Sequence, residues 1–184
     1  QFLRHSVDAW ACVSATIEII STYNIVEALP IRGGEKVVID LETLSGSLKR
    51  EFRVYKVSNI NSERQSESCV LHLVPDEYLN NELTRCVKKY KKIRVNYHVK
   101  DILENVLKTK DIGIIEETSN SYSFIGNTKK PFHTLQWLGP KSVSLVTKKS
   151  GVSGKNNTKI GKAKGTAGFI FFQNKDGFNF RSID

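Results

Sequence analysis

The chain contains no methionine among its 184 residues and begins with Gln1. A natural reading frame supplies an initiator methionine, so we expect a fragment or a processed product. The fragment interpretation is favoured because Phe178–Asp184 resembles the middle of a structure more than its end. The length is sufficient for one large domain or two small ones.

Long apolar runs are also missing. The longest such stretch, Ala9–Ile20, is interrupted by Ser14, Thr16 and Glu18, whereas a membrane-spanning helix needs about 18 or more apolar residues. The first residues lack the basic region, clean apolar core and small-residue cleavage site of a signal peptide. We therefore expect no membrane span.

Cysteine is scarce, with Cys12, Cys69 and Cys86 far apart in sequence. An odd number without C-x-x-C spacing argues against both a disulfide framework and a zinc site. The sequence predicts buried free thiols in a reducing compartment.

Motifs that carry chemistry are absent. Gly161-Lys162 fails as a phosphate-binding loop, because Ala163 follows it and Asn156 stands where the first glycine is required. There is no G-x-S-x-G turn, and no two histidines lie three or four residues apart. His98 and Asp101 could form a local structural hydrogen bond. We therefore expect no catalytic residues, no metal and no cofactor.

Acidic residues are missing between Glu117 and Asp176, an interval that holds ten lysines. Six of these lie among Gly, Ser, Asn and Thr, so that segment is expected to be a mobile loop. The loop could contact phosphate or an acidic protein surface, or it could simply be solvated, since no aromatic residue interleaves it as stacking on bases would require. The six candidate contact residues are Lys148, Lys149, Lys155, Lys159, Lys162 and Lys164.

The first half of the chain shows the period-two alternation of β-strands. Alternating runs with Gly-rich turns between them predict an antiparallel sheet with one solvated side. The predicted strands are Val13–Ala28, Glu35–Leu41, Glu51–Ile60 and Glu67–Val74.

Beyond Pro75 the spacing becomes helical. It predicts one helix running to Tyr90, with Asp76 in its first turn, and places the basic cluster Arg85–Arg94 at the end of that helix, where cations complement the helix dipole. A second helix is predicted over Val99–Leu107, capped by Asn96. We expect a domain boundary near Ile93.

The last third predicts a short strand at Tyr122–Phe124, a helix beginning near Pro131 and ending at Gly139, and a hairpin with aromatic strands around Asp176-Gly177. The apolar face of this helix comprises Phe132, Leu135, Trp137 and Leu138, and it is expected to pack on the hairpin residues Phe169, Phe171, Phe178 and Phe180. The predicted fold class is α+β: an antiparallel β domain over residues 1–93, followed by a smaller α+β domain over residues 94–184 in which a helix packs on an aromatic β-hairpin.

Several motifs in the last third resemble the central hub proteins of contractile-tailed bacteriophage baseplates, which are distantly related to type VI secretion spike proteins. The matching stretches are Tyr122-Ser-Phe-Ile-Gly-Asn-Thr-Lys-Lys-Pro-Phe132, Trp137-Leu-Gly-Pro-Lys141, Gly165-Thr-Ala-Gly-Phe-Ile-Phe-Phe172 and Lys175–Asp184. Ala28–Lys36 and Phe52–Lys56 are similar to the first tube-like domain of such hubs. His133 departs from the pattern, which usually has an acidic residue there.

The resemblance implies a tail-tube-like β domain over 1–93, built as a sheet or barrel with a helix, an α+β hub domain over 94–184, and further hub domains after Asp184. It implies a homotrimer that closes into a pseudo-sixfold ring, with the strands before Pro75 forming the ring. The implied neighbours are the tail tube or a tube-initiator protein, the central spike and the surrounding wedge proteins, with transient contact to passing DNA. The implied location is the virion, after assembly in the host cytoplasm, and no enzymatic activity is expected.

Two other classes of function are compatible with parts of the sequence. A nucleic-acid-binding protein would use the lysine-rich residues 148–164. A cell-wall hydrolase is disfavoured, because the sequence offers no paired acidic residues for catalysis.

Overall fold

The computed structural model describes residues 11–22, 31–43, 46–63, 66–145 and 167–183. The fold is mixed α+β and consists mostly of strands. The chain forms two compact units, one made of residues 1–83 with 173–175 and the other of residues 84–172 with 176–184. No helix of the described residues combines the length and the apolar character needed to cross a bilayer.

The first unit is built on a curled, half-barrel antiparallel sheet, as its alternating pattern predicted. Its strands follow the order β1-β4-β3-β2. The part of the predicted first strand after residue 22 lies outside the described residues. The strand bounds are β1 Ala15–Ser21, β2 Lys36–Thr43, β3 Gly46–Glu63 and β4 Ser66–Val74.

A large stagger explains the curl of this sheet. β3 is 18 residues long, about 60 Å at the usual rise of a strand. Residues 46–53 of β3 pair with β2, whereas residues 53–63 pair with β4, so the two ladders overlap only at Arg53. Register shifts at Val54/Lys56 and Ser58/Asn61 add bulges, which increase the local twist.

One face of the sheet forms the core of the first unit, and the other is exposed. Partly buried apolar residues from β1 and β2, such as Ile17 and Val37, pack against the buried cluster. Ile20, at 72% exposure, represents the opposite face. Each fully buried side chain of this size contributes about 1.5–3 kcal/mol. The buried cluster comprises Phe52, Val54, Cys69, Leu71 and Leu73.

The helix after Pro75 is shorter than predicted. α1 spans Asp76–Leu83, with Asp76 in its first turn, and the prediction that the helix continues to Tyr90 is wrong. Residues Lys89–Arg94 form strand β5, which pairs antiparallel with β7, Ser121–Ile125. The cause is twofold: Lys and Arg at helical spacing would repel one another, and pairing with β7 satisfies the backbone.

This pairing also moves the division between units. Residues 84–93 belong with the second unit, ten residues before the boundary that the sequence suggested near Ile93. α2 then spans Val95–Asp101 and continues as a π-helical turn over Ile102–Val106. It starts four residues before the predicted Val99. Asn96 is not its cap: it lies inside the helix, where its N–H donates to Thr118 Oγ1 and its Oδ1 accepts from the same hydroxyl, both at 3.2 Å.

The core of the second unit is the predicted packing of a helix on an aromatic hairpin. α3 spans Pro131–Leu138, β8 spans Phe169–Asn174 and β9 spans Gly177–Ser182. The ring of Phe132 lies 6.0 Å from that of Phe171 and 5.7 Å from that of Phe178, centroid to centroid. Phe171 and Phe178 stack with their planes 2° apart.

Two features of this core differ from expectation. A short strand, β6 Ile112–Ile115, pairs in parallel with β9 and was not predicted. Trp137 was expected on the buried face of α3, yet it is 40% exposed. Its neighbours Leu135 and Leu138 are fully buried, so the indole lies at the border of the apolar stripe.

Residues 142–143 and 167–168 of the second unit lie side by side. Val143 and Ala167 form an isolated antiparallel bridge, and Gly168 N donates to Ser142 O at 2.9 Å. Residues 146–166, which lie between these contacts, are outside the described part of the chain. All three cysteines are free and buried, as predicted.

Candidate functional site

The six lysines predicted as partner contacts, Lys148 to Lys164, lie outside the described residues. The site that can be built from side chains is instead on the second unit, where β5, β7 and α3 bring aromatic residues and lysines together. The site consists of a buried aromatic cluster and an exposed groove.

The buried cluster sits beneath the β5–β7 ladder. The rings of Tyr90 and Phe124, direct partners across the ladder, stack with centroids 4.3 Å apart. The imidazole of His98 meets both edge-on, at 5.4 and 5.3 Å. His98 Nε2 lies 2.8 Å from Tyr122 O, and since a carbonyl only accepts, Nε2 carries the proton. The hydrogen bond that the sequence suggested between His98 and Asp101 is not seen among the described residues, where the Asp101 carboxylate contacts Lys88 and Asn105.

Burial sets the electrostatics of this cluster. Burial raises the pKa of the Tyr90 hydroxyl well above its usual range, and neighbouring Cys86 and Asp101 raise it further. The Tyr90 oxygen is fully buried, beside Cys86 and Asp101. Asp101 Oδ2 lies 2.5 Å from Lys88 Nζ, and its Oδ1 accepts from Asn105 Nδ2 at 2.9 Å. These groups serve the packing of the cluster.

A second tier of aromatics reaches the surface. The indole of Trp137 lies 5.8 Å from the ring of Tyr122 and 5.5 Å from that of Phe124. Lys141 Nζ lies 4.6 Å from the Trp137 centroid and 5.9 Å from the Tyr122 centroid, within range of cation–π attraction. The backbone of Lys141 is fixed, because its carbonyl accepts from Asn120 Nδ2 at 2.7 Å.

A groove of about 160 Å³ lies between β7 and α3 beside this tier. His133 and Trp137, one helical turn apart and both exposed, form one wall. Among the described residues, no carboxylate lines the groove. Its lining residues are Phe124, Ile125, Gly126, Asn127, Lys129, His133, Thr134 and Trp137.

A tight turn forms the floor of this groove. Lys129 N donates to Gly126 O at 3.0 Å, and the two residues between them, Asn127 and Thr128, have φ angles of 51° and 55°. Asparagine tolerates that left-handed conformation, but a β-branched threonine rarely adopts it. The turn is held from below by Thr128 N, which donates to Cys86 O at 3.1 Å.

The basic cluster on β5 is exposed along most of its length. Lys88 pairs with Asp101, and Arg94 Nη1 lies 3.3 Å from Glu117 Oε2. The remaining lysines, Lys89, Lys91 and Lys92, are exposed and make no ion pair within the described residues. The register shift between Tyr90 and Ile93 inserts an extra residue in this strand, so that consecutive lysines both face solvent.

The first unit offers a different kind of surface. β1 and β2 are the outer strands of its sheet, and neither pairs with a further strand in the part of the chain that the structure describes. Ile20 on β1 and Val38 and Leu41 on β2 are large apolar side chains exposed by 72%, 46% and 43%. β1 contains neither lysine nor proline, two residues that commonly protect free strand edges.

Sequence reasoning missed the groove for an identifiable reason. His133 and Trp137 lie four residues apart on a predicted helix. Trp137 was placed on the apolar face of that helix, and His133 was noted only as a departure from the hub pattern. The available signal was the row of polar and basic residues in Asn127-Thr128-Lys129, directly before that helix.

Comparison with known proteins identifies no relative: no protein-family model and no curated protein matches the chain. In the described residues, no three His, Cys, Asp or Glu side chains converge as a metal site would require.

Proposed function

We propose that this chain is a structural component of a phage tail baseplate hub. In this proposal three copies close into a pseudo-sixfold ring that connects the tail tube to the central spike and lets DNA pass. The ring is assembled in the host cytoplasm, becomes part of the virion and has wedge proteins around it. The chain acts without catalysis.

The observation that carries the proposal is the pair of outer strands on the curled sheet, β1 and β2, each of which has a further strand on one side only among the described residues. Strands β1 and β2 end a half-barrel on opposite sides, and their backbone N–H and C=O groups can accept a strand from a neighbour. Joining β1 of one copy to β2 of the next is a heterologous contact, which closes into a ring when the rotation fits. The exposed Ile20, Val38 and Leu41 would be covered by that contact.

The sequence resemblance supports the same function from the other half of the chain. The most specific hub-like motifs fall on β7, α3, β8 and β9, and the aromatic packing among these elements explains why such residues occur together. These motifs mark a fold, while the assembling surface would lie in the strands before Pro75.

The copy number in solution tests the proposal. Sedimentation equilibrium should give a particle of three times the 20.8 kDa of one chain. Ile20→Lys places a charge beside the edge of β1 and should shift the particle to monomers. Leu83→Lys, at an equally exposed position at the end of α1, is the matched control and should leave the trimer intact.

Two results would overturn the proposal. One is a copy number other than three when the chain is seen in assembled tail particles by electron microscopy, or a position away from the tail axis. The other is lytic activity of the isolated chain on cell-wall material.

A further inference from the structure

We propose that the groove between β7 and α3 binds one base of a single-stranded nucleic acid, with the neighbouring phosphates held by Lys129 and Lys141. This site goes beyond the proposed ring, and it uses none of the residues 148–164. Its support comes from size, stacking surface, charge and hydrogen-bonding groups.

The size of the groove favours one flat ring. Sites for whole small molecules usually enclose about 300–1,000 Å³, whereas this groove measures about 160 Å³. A complete mononucleotide would project from it, while a single base, or one side chain of a peptide, fits. The groove therefore suits one unit of a polymer that lies across the surface.

Trp137 provides a stacking surface. Its indole is 40% exposed and contacts the rings of Tyr122 and Phe124, while Lys141 Nζ lies over one face of the ring. In this proposal the base stacks on the opposite face. Because the ring is fixed before a ligand arrives, little side-chain freedom is lost on binding. Every base has a π-face, so stacking of this kind accepts bases of any sequence.

The positive charge around the Trp137 indole favours binding of an anionic polymer. Lys129 lines the groove and Lys141 lies over the indole, and neither forms an ion pair within the described residues. Ile125, another lining residue, pairs across the ladder with Lys89, which leads to the exposed Lys91 and Lys92. Cations thus continue from the groove along β5, as a phosphate backbone requires.

Hydrogen-bonding groups at the floor match a base edge. The side chain of Asn127 is exposed at the groove and makes no hydrogen bond to another side chain in the part of the chain described here. Its amide carries two donors and an acceptor, the combination that base edges complement. The left-handed turn at Asn127 and Thr128 holds this side chain at the groove, and such strain is common where a ligand is clamped.

Single strands fit better than duplexes or acidic peptides. Bases inside a duplex are stacked on one another and cannot reach Trp137. An acidic peptide would satisfy the lysines, but its carboxylates would leave the indole face unused. Both alternatives are distinguishable outcomes of the experiment.

The experiment is a titration of the full chain with fluorescently labelled oligothymidylate, read by anisotropy at low salt. Trp137→Ala should weaken binding by roughly 5- to 150-fold, equivalent to about 1–3 kcal/mol for one stacked base, and Trp137→Phe should weaken it less. Lys129→Ala should lower the slope of log affinity against log salt by about 0.7. Tyr97→Ala, which removes an aromatic ring of similar exposure on α2, is the matched control and should bind like the parent chain.

Stacking can also be observed directly. In a Trp10→Phe background Trp137 is the remaining tryptophan, and its fluorescence should be quenched by oligothymidylate with the same midpoint as the anisotropy. Folding of each variant is checked by thermal unfolding, and oligomeric state by sedimentation, so loss of the ring and loss of the site are separable.

The inference is overturned if a folded Trp137→Ala variant binds within twofold of the parent chain. It is equally overturned if duplex DNA or a polyglutamate peptide of matched charge binds more tightly than the single strand.

Discussion

At the scale of single residues, close backbone approaches determine where the chain turns. Gly126 shows this most clearly, because a Cβ built there would lie 2.1 Å from Cys86 O. That carbonyl accepts the bond from Thr128 N that holds the turn beneath the groove. The close approach of the turn after β7 to the Cys86 backbone therefore depends on the missing side chain.

Gly126→Ala is expected to destabilise the second unit. The added methyl group must push the Cys86 strand away from the turn, and such forced shifts usually cost about 1–3 kcal/mol. Urea unfolding measures the change. Ser123→Ala, at an exposed position of the same strand, should change the free energy of unfolding by less than about 0.5 kcal/mol.

Glu35 has a comparable local role in the first unit. Its carboxylate accepts from Arg32 N at 2.8 Å and from Gly33 N at 2.8 Å, closing the turn in which Gly33 and Gly34 have φ angles of 110° and 92°. These backbone hydrogen bonds, led by the one from Arg32, lower the pKa of Glu35 below its ordinary value.

This shift predicts a pH dependence of stability. A lowered pKa in the folded state stabilises the fold above the unfolded pKa of a glutamate, about 4.3, and the stabilisation is lost as the pH falls through the folded value. In Glu35→Gln the fall in thermal midpoint on acidification should be smaller than in the parent chain. An equal fall in thermal midpoint for Glu35→Gln and the parent chain would contradict this role of Glu35. Glu42→Gln, at an exposed position of β2, is the control.

At the scale of elements, the core of the second unit is α3 packed on the hairpin of β8 and β9. Phe171 faces Phe132 and Phe178, whereas its neighbour Ile170 points outward and is 40% exposed. Residues 169–171 of β8 thus alternate between core and solvent.

Phe171→Ala is expected to lower the free energy of unfolding by about 3–5 kcal/mol, because it removes buried area and leaves a cavity between stacked rings. Ile170→Ala is the paired control on the same strand and should cost far less. Chemical denaturation measures the free energy of unfolding of both variants. A similar decrease in the two would contradict the inward direction of Phe171.

Most of the helices and strands could be predicted from the sequence, and the wrong predictions have physical causes. Alternation in β2 to β4, the first-turn proline of α3 and the Asp176-Gly177 turn are local signals that tertiary contacts reinforce. β5 was mistaken for helix because its hydrophobic residues happen to have helical spacing, while its pairing partner lies about thirty residues away. β6 has four residues and pairs with β9 in parallel, a contact that no local pattern encodes.

The groove, too, could not be predicted from local sequence patterns. The exposed position of Trp137 depends on how far α3 rotates over the hairpin, which the spacing of Phe132, Leu135 and Leu138 leaves open. The lysines singled out by composition, Lys148 to Lys164, lie outside the described residues, so their role stays a prediction.

At the scale of the whole molecule, charge is divided between the two halves of the sequence. Residues 1–83 contain 8 Lys and Arg against 12 Asp and Glu, while residues 84–184 contain 20 against 7. The second half therefore has a formal charge of +13 and repels itself, which destabilises the compact state at low ionic strength.

Sodium chloride is accordingly expected to stabilise the protein. Between about 0.01 M and 0.15 M salt the screening length falls from about 30 Å to about 8 Å. A gain of about 1 kcal/mol would raise the thermal midpoint by about 2–4 °C. Replacing the six lysines Lys148 to Lys164 with glutamine should flatten this response, and an unchanged response would contradict it.

The bridge between Val143 and Ala167 marks a position where added residues should cost little stability. Because Val143 and Ala167 hold the two ends of the intervening segment together, a flexible insertion there would cost roughly 0.6 kcal/mol for each doubling of loop length. The core of the second unit need not be rebuilt when that segment grows or shrinks. This position therefore suits the insertion of an epitope or a fluorescent reporter.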